Sequence, residues 1–265
     1  MQRGVSIKPI SILGSGWLGL PLAEHFILVG HPVKASTTTE SRLPELRCIK
    51  VDPFIIDIGI TSSNFQTFLQ ADILIVNIPS WNTQHFSHLI KEIEESEIRK
   101  VLFVSSISVY ENMNETISES NGKESKLNPL SVIEDMFRGS SKFRTTIIRF
   151  GGLIGYSRNP GRFFKNRRPV RNPDSNVNLI HRDDCINIIS QIVEQDIWDE
   201  DFNCCADTHS TKREFYTQAT KQIGAPAPDF DESGGMSFKI ISNHKVKRVL
   251  NYSFLHPDLM KIKFE

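Results

Sequence analysis

The sequence predicts an α/β fold, a doubly wound parallel sheet flanked by helices, with a small C-terminal α/β cap. Three observations carry this. Apolar runs of strand length alternate with helical patterns, the arrangement a parallel sheet with crossover helices requires. A chain of 265 residues can bury a sizeable core, as one large domain or a domain with an appendage. Gly14-Ser15-Gly16-Trp17-Leu18-Gly19 lies between the first apolar run, Ile10-Ser11-Ile12-Leu13, and a helical pattern running through Pro21 to Phe26.

In that motif the first glycine allows a tight strand-to-helix turn, and the second lets backbone approach a phosphate. The third lets helix pack closely on strand, leaving the N-terminal amides and dipole directed at an anion. Glycine turns are common, so a bare GxGxxG says little; the strand–motif–helix context is what supports a dinucleotide site. The competing reading is a glycine-rich structural turn.

A second strand is expected near Pro32 to Thr37, and a third, short one near Arg47 to Val51. Helical Asn64 to Gln70 leads into Ile73-Leu74-Ile75-Val76-Asn77, which reads as a fully buried strand. Thr83 to Ser96 is amphipathic, with Phe86, Leu89, Ile90 and Ile93 on one face. Val101 to Ser105 is another buried strand, a polar loop spans Glu111 to Lys126, and a helix is expected around Pro129 to Arg138. Thr145 to Phe150 makes the sixth strand. Residues 151–178, rich in Gly, Pro, Arg and Asn, are expected as loops over the carboxyl ends of the strands. Asn178 to Ile180, Asp183 to Val193, Asp201 to Cys205 and Thr211 to Ile223 then alternate extended and helical. Residues 1–150 therefore read as a Rossmann core. Residues 151–265 read as a sequence-dispersed substrate cap that returns a strand and a helix to that core.

Lysine plus arginine and aspartate plus glutamate number 31 each, so no net field favours nucleic acid or a membrane surface. No apolar run reaches the ~18 residues of a spanning helix, and Met1 to Val5 lacks the apolar stretch of a secretion signal. Cys48, Cys185, Cys204 and Cys205 show no metal spacing, and reduced thiols in a cytoplasmic protein are the simplest expectation.

Folds that prefer NAD place an acid about 20 residues past the glycine motif, on the ribose 2′-hydroxyl. Here that position is Thr37, followed by Thr38, Thr39 and Glu40. Small hydroxyls with Arg42 and Lys34 suit a 2′-phosphate, so NADP is expected over NAD, with Glu40 the argument for NAD. Asn77-Ile78-Pro79, after the fourth strand, would pass near the pyrophosphate and ribose. His85 and His88 share a helical face but lack visible further ligands, so a solvated surface is expected and no metal site. Asp183 and Asp184 open a helix, where acids complement the dipole. Arg158, Arg162, Lys165, Arg167, Arg168 and Arg171 could clamp a phosphorylated or nucleotide-linked small molecule, or form a solvated loop. No GxSxG elbow supports a hydrolase.

Six segments in order resemble the extended short-chain dehydrogenase/reductase family, the NAD-dependent epimerase/dehydratase branch or an atypical offshoot. They are the glycine motif, Val104-Ser105-Ser106-Ile107-Ser108-Val109-Tyr110 (like SSxxVY), and Ile147 to Gly155 (like LRxxxxxG). Leu179 to Ile186 (like HVDD), Phe202 to Cys205 (like YNV) and Ile241 to Leu250 (like SNxKxxxxLG) complete the set. The resemblance implies Ser106 as the catalytic serine, with Ser105 beside it on the cofactor and Asp52-Pro53 at the adenine. A homodimer is also implied. In the family a tyrosine with lysine four residues later exchanges the proton. This chain's four tyrosines, Tyr110, Tyr156, Tyr216 and Tyr252, are followed at that spacing by Asn114, Pro160, Thr220 and His256. Tyr110 or a residue of the mobile loop is the candidate for acid/base work, against the reading that Tyr110 is a packed aromatic. The expectation is an NAD(P)-binding oxidoreductase or epimerase-like protein acting on a small polar or nucleotide-linked substrate. The alternative is a dinucleotide-binding sensor, regulator or scaffold without catalysis.

Overall fold

The computed structural model describes residues 7–60, 64–163 and 169–264. β1 (Ile10–Leu13) leads into α1 (Gly19–Leu28), and β2 (Val33–Thr37) into α2 (Leu43–Cys48). β3 (Asp52–Ile55), α3 (Asn64–Phe68), β4 (Ile73–Val76), α4 (Thr83–Glu94) and β5 (Lys100–Ser106) follow. The polar loop contains β6 (Thr116–Ile117), before α5 (Pro129–Arg138) and β7 (Arg144–Phe150). The stretch expected as loops carries β8 (Gly152–Ile154) and β9 (Val170–Arg171). Then come β10 (Leu179–His181), α6 (Arg182–Glu194), β11 (Asp201–Cys204) and α7 (Lys212–Gln222). β12 (Phe230–Asp231), β13 (Ile240–Ile241) and α8 (His244–Leu250) complete the series.

Seven strands form one mostly parallel sheet in the order β11-β7-β5-β4-β1-β2-β3. β1 pairs in parallel with both β2 (Ile12↔Ala35) and β4 (Ile12↔Ile75). Chain order therefore reverses at β1, which makes its carboxyl end the topological switch point where ligands of such sheets bind. All four residues of β1 and of β4 are buried, which explains why both read as continuous apolar runs rather than alternating ones.

The third strand differs from the expectation. Arg47 and Cys48 end α2, whose first turn holds Pro44, and the chain reverses through Lys50 at φ 63° before β3 begins at Asp52. A proline in the first helical turn presets φ and lacks only an amide that the helix would not have used. Pro53 lies within β3, opposite Ala35, and is tolerated because β3 is the edge of the sheet.

The chain divides into two compact units. The first takes in the chain through Ser105, then Lys126–Ile148 and Ile186–Asp201. Its core includes a phenylalanine cluster: Phe103 stacks on Phe137 at 4.8 Å between centroids, and Phe86 meets both edge-on at 5.7 and 6.0 Å. The second comprises Ser106–Ser125, Arg149–Cys185 and the chain from Phe202 onward. It holds three small parallel pairs, β10 with β8, β12 with β9 and β13 with β6. Ile154, Val177, Phe215, Leu259 and Ile262 form an apolar core there. Gly161 permits a close approach in this unit, since a Cβ would stand 2.4 Å from the Ala219 carbonyl oxygen of α7. The cysteines are free thiols, three buried and Cys48 exposed. No helix among the described residues is long and apolar enough to cross a membrane.

Phe103 touches both other rings of its cluster and is buried. Phe103→Ala is expected to destabilise the protein by about 3–5 kcal/mol, measured by denaturant unfolding.

Candidate dinucleotide site

A cleft of about 350 Å³ opens in the first unit, outside the carboxyl ends of β1 to β4. Its lining includes Gly14, Ser15, Gly16, Thr37, Thr38 and Arg42, and from β4 onward Asn77, Ile78 and Pro79. The glycine loop is held against β2: the Gly14 amide donates to Ser36 Oγ at 3.0 Å, and the Ser15 amide to the Ser36 carbonyl at 2.9 Å. Gly14 has φ +101°, and a Cβ on it would stand 2.4 Å from the Asn77 carbonyl oxygen. A Cβ on Gly19 would stand 1.9 Å from the Gly14 carbonyl oxygen, whereas one on Gly16 would meet nothing within 4 Å. Gly14 and Gly19 are thus required by the turn itself, and Gly16 faces open space where a ligand's phosphates could approach backbone. Asn77 Nδ2 donates to the Gly14 carbonyl at 3.3 Å, tying β4 to the turn. Trp17 and Leu18 complete the turn, Leu18 at the N-cap of α1, and neither lines the cleft.

The site fits a dinucleotide on a structural ground. Ser15 is 2 % exposed, yet its hydroxyl has no hydrogen-bond partner, an unsatisfied group in a loop that a bound phosphate would complete. At the β2 edge, Thr37, Thr38 and Thr39 line the cleft with Arg42; Glu40 does not. Arg42 donates to the Ser15 carbonyl at 2.8 Å and pairs with Glu45 at 2.8 Å. Lys34, expected to assist, instead donates to the Thr67 carbonyl in the last turn of α3 and the Gln70 carbonyl beyond it.

The displaced third strand moves one expected contact. Asp52 stands at the amino end of β3 and is exposed, so it is not in the cleft; Ile56, Asp57 and Ile58, past the carboxyl end, are. Asp57 accepts the Gly59 amide at 2.8 Å. His85, expected on a solvated surface, also lines the cleft, positioned by the Asn82 cap of α4, which accepts the Gln84 and His85 amides. His88 lies 3.8 Å from Glu92.

Ser105, Ser106 and Tyr110 follow at the end of β5. Ser105 is buried and donates to Glu134 Oε1 at 2.6 Å, and Arg138 of the same helix pairs with Glu134 at 3.0 Å. That hydroxyl is committed to α5, which carries neither Tyr nor Lys. Ser106, half-buried, accepts the Ser108 amide at 3.1 Å and keeps its own proton to donate. Tyr110 is 2 % exposed. It donates to Asn203 Oδ1 at 3.0 Å and accepts from the Arg149 guanidinium at 2.5 Å. Arg149, itself buried, pairs with Glu124 at 2.5 Å. Burial pushes the Tyr110 phenol up to about 12 despite the neighbouring guanidinium. The phenol is thus buried with its hydroxyl engaged as donor and acceptor, the surroundings of a packed aromatic.

Of the basic loop, Lys165, Arg167 and Arg168 lie outside the described residues. Arg158 sits in a turn whose amide donates to the Gly155 carbonyl, and Arg171 is exposed, 3.9 Å from Asp231. Asp184, expected to serve the helix dipole, is fully buried; its carboxylate accepts the Tyr252 hydroxyl and the Leu255 and His256 amides at 2.7 to 3.1 Å.

Two outcomes are expected here. Gly16→Ala should leave stability nearly unchanged but weaken dinucleotide binding, while Gly19→Ala should destabilise the fold; thermal melts with and without NADPH separate the two. Tyr110→Phe leaves the buried Asn203 Oδ1 without its donor and removes one contact of Arg149, so it should cost about 1–3 kcal/mol in denaturant unfolding.

No family model matches the chain. It is 26% identical to Protein YeeZ of Escherichia coli (strain K12), over 98% of this chain and all of that protein. A Methylobacillus flagellatus structure provisionally named an NAD-dependent epimerase/dehydratase superposes with a TM-score of 0.79 at 21% identity, covering 96% of this chain and 95% of that one. The UDP-glucuronic acid 4-epimerase of Bacillus cereus, in complex with a UDP-sugar and NAD, superposes with a TM-score of 0.76 at 16% identity, covering 95% of each. The chain has the fold of these NAD-dependent epimerase/dehydratase structures.

Proposed function

We propose that the chain binds NAD(P) in the first-unit cleft and works as an oxidoreductase or epimerase-like enzyme on a small polar or nucleotide-linked substrate. The observation that carries this is the glycine turn, with its open face at Gly16 and the unsatisfied Ser15 hydroxyl. A bound nicotinamide supplies hydride exchange. The chain's residues would do the rest: the glycine loop would seat the phosphates, Asp57 and Ile58 would border the adenine end, and Ser106 would orient the reacting oxygen by donating a hydrogen bond to it. A nucleotide-linked substrate is supported by the UDP-sugar in the Bacillus cereus epimerase. NADP is the preferred form, because Arg42 and three threonines, and no carboxylate, border the cleft at the β2 edge. Glu45 partly neutralises Arg42, so the preference is modest.

A second reading has its own support. The sequence lacks the tyrosine–lysine pair of the family it resembles, and Tyr110 is buried, which favours a dinucleotide-binding sensor or scaffold.

Thermal-shift titration with NADPH, NADP, NADH and NAD tests the binding. A ligand at 100 times its dissociation constant stabilises by about 2.7 kcal/mol. The phosphorylated pair should stabilise more. Arg42→Ala should weaken NADPH about tenfold, the ~1.4 kcal/mol scale of one charged hydrogen bond, and leave NADH nearly unchanged. Oxidation of NADPH by a carbonyl substrate, or reduction of NAD(P) or epimerisation of an added UDP-sugar, would select the enzyme; tight binding without turnover would select the sensor. No stabilisation by any of the four would refute both.

A further inference from the structure

In the second unit, His181 at the end of β10 and Asp183 in the first turn of α6 meet a side chain distant in sequence, His256 beyond α8. Each brings one ligand atom to within 4.8 Å of the other two. Asp183 Oδ2 lies 3.3 Å from His181 Nδ1 and 3.1 Å from His256 Nε2. Donors about 2.1 Å from a tetrahedral zinc ion stand about 3.4 Å from one another, so both spacings match edges of a zinc coordination tetrahedron. We propose that His181, Asp183 and His256 form a binding site for a divalent transition-metal ion of the zinc class.

The surroundings suit that assignment. Tyr156 donates its hydroxyl to Asp183 Oδ1 at 2.8 Å, holding the carboxylate's other oxygen as outer-shell partners of metal ligands do. Tyr156 adopts φ 50°, a backbone conformation uncommon for a residue with a side chain, and the Arg182 guanidinium covers its ring at 3.9 Å. Gly155, at φ +112°, leaves room for the His181 imidazole, since a Cβ there would stand 2.3 Å from its Nε2. Asp183 and Asp184 outweigh the single charge of Arg182, so a dication enters a net negative locus. Imidazole with one carboxylate is a donor set for zinc and its first-row neighbours rather than for calcium or magnesium. Three protein ligands leave a fourth position for water. The ion would fasten the segment around His256 to the start of α6, beside the hydrogen bonds that Asp184 already makes to it.

The test uses the full chain stripped with chelator, then titrated with Zn²⁺ by calorimetry and with Co²⁺ by visible absorption. One Zn²⁺ per chain and an intense tetrahedral cobalt spectrum are expected. Both should vanish in His256→Gln and Asp183→Asn and persist in the control His88→Gln. Tyr156→Phe keeps all three ligands and should weaken binding about 10–100-fold. Circular dichroism checks folding; if Asp183→Asn does not fold, His256→Gln, altering a partly exposed side chain, decides alone. Absence of saturable binding, or stoichiometric binding that survives His256→Gln, overturns the site. Neither result depends on dinucleotide binding.

Discussion

A side chain at Gly19 would collide with the Gly14 carbonyl, so α1 can begin where it does only because that atom is missing. The rest of the first unit's cleft follows from this contact. Because α1 starts against β1, the turn between them is short enough for β2 to fix it through Ser36 and for Asn77 of the β4 end to brace it. Three strands thereby share one loop, and the switch point of the sheet becomes a rigid concave surface rather than an open seam.

Much of this was legible in the sequence, for a physical reason. Strands buried on both faces carry apolar runs, so β1, β4, β5 and β7 announce themselves without help from their neighbours through Ile12-Leu13, Ile73 to Val76, Val101 to Val104 and Ile147-Ile148. Helix α4 does so through its one-sided apolar face of Phe86, Leu89, Ile90 and Ile93. The edge strand was different. β3 contains a proline and an exposed acid, and the nearby apolar residues Leu46, Ile49 and Val51 belong partly to a helix and partly to a turn. Because β3 starts later than expected, Asp52 falls at its amino end, and Asp57, past its carboxyl end, lines the cleft instead. Side-chain commitments were equally hidden. Nothing local in the sequence indicates that Ser105 is tied to Glu134, 29 positions away, or that Asn203 waits for the Tyr110 hydroxyl. His256 was invisible as a partner of His181 because only the tertiary path of the C-terminal segment joins them.

The second unit is organised around buried polarity. Arg149 is 1 % exposed and makes its contacts with Glu124 and Tyr110, while Glu119 accepts the Asn203 amide. Taking an arginine out of water is expensive, and pairing it repays that cost only when every partner is placed well. The short parallel strand pairs around it could not by themselves specify a unique arrangement, being two or three residues long. Removing one partner of the buried pair of Arg149 and Glu124 would leave the other charge uncompensated, at a cost of about 3–5 kcal/mol.

The proline of β3 has a consequence beyond its own strand. A sheet that ends on an exposed strand offers a template on which another chain can continue the ladder, and long flat edges are where such growth starts. On this molecule the outermost strand is four residues long, begins with a carboxylate and has no amide at its second position. A foreign strand laid alongside it would find a ladder interrupted almost where it begins. Lateral extension of the sheet on that side, whether in assembly or in aggregation, is therefore blocked by the covalent structure of one residue.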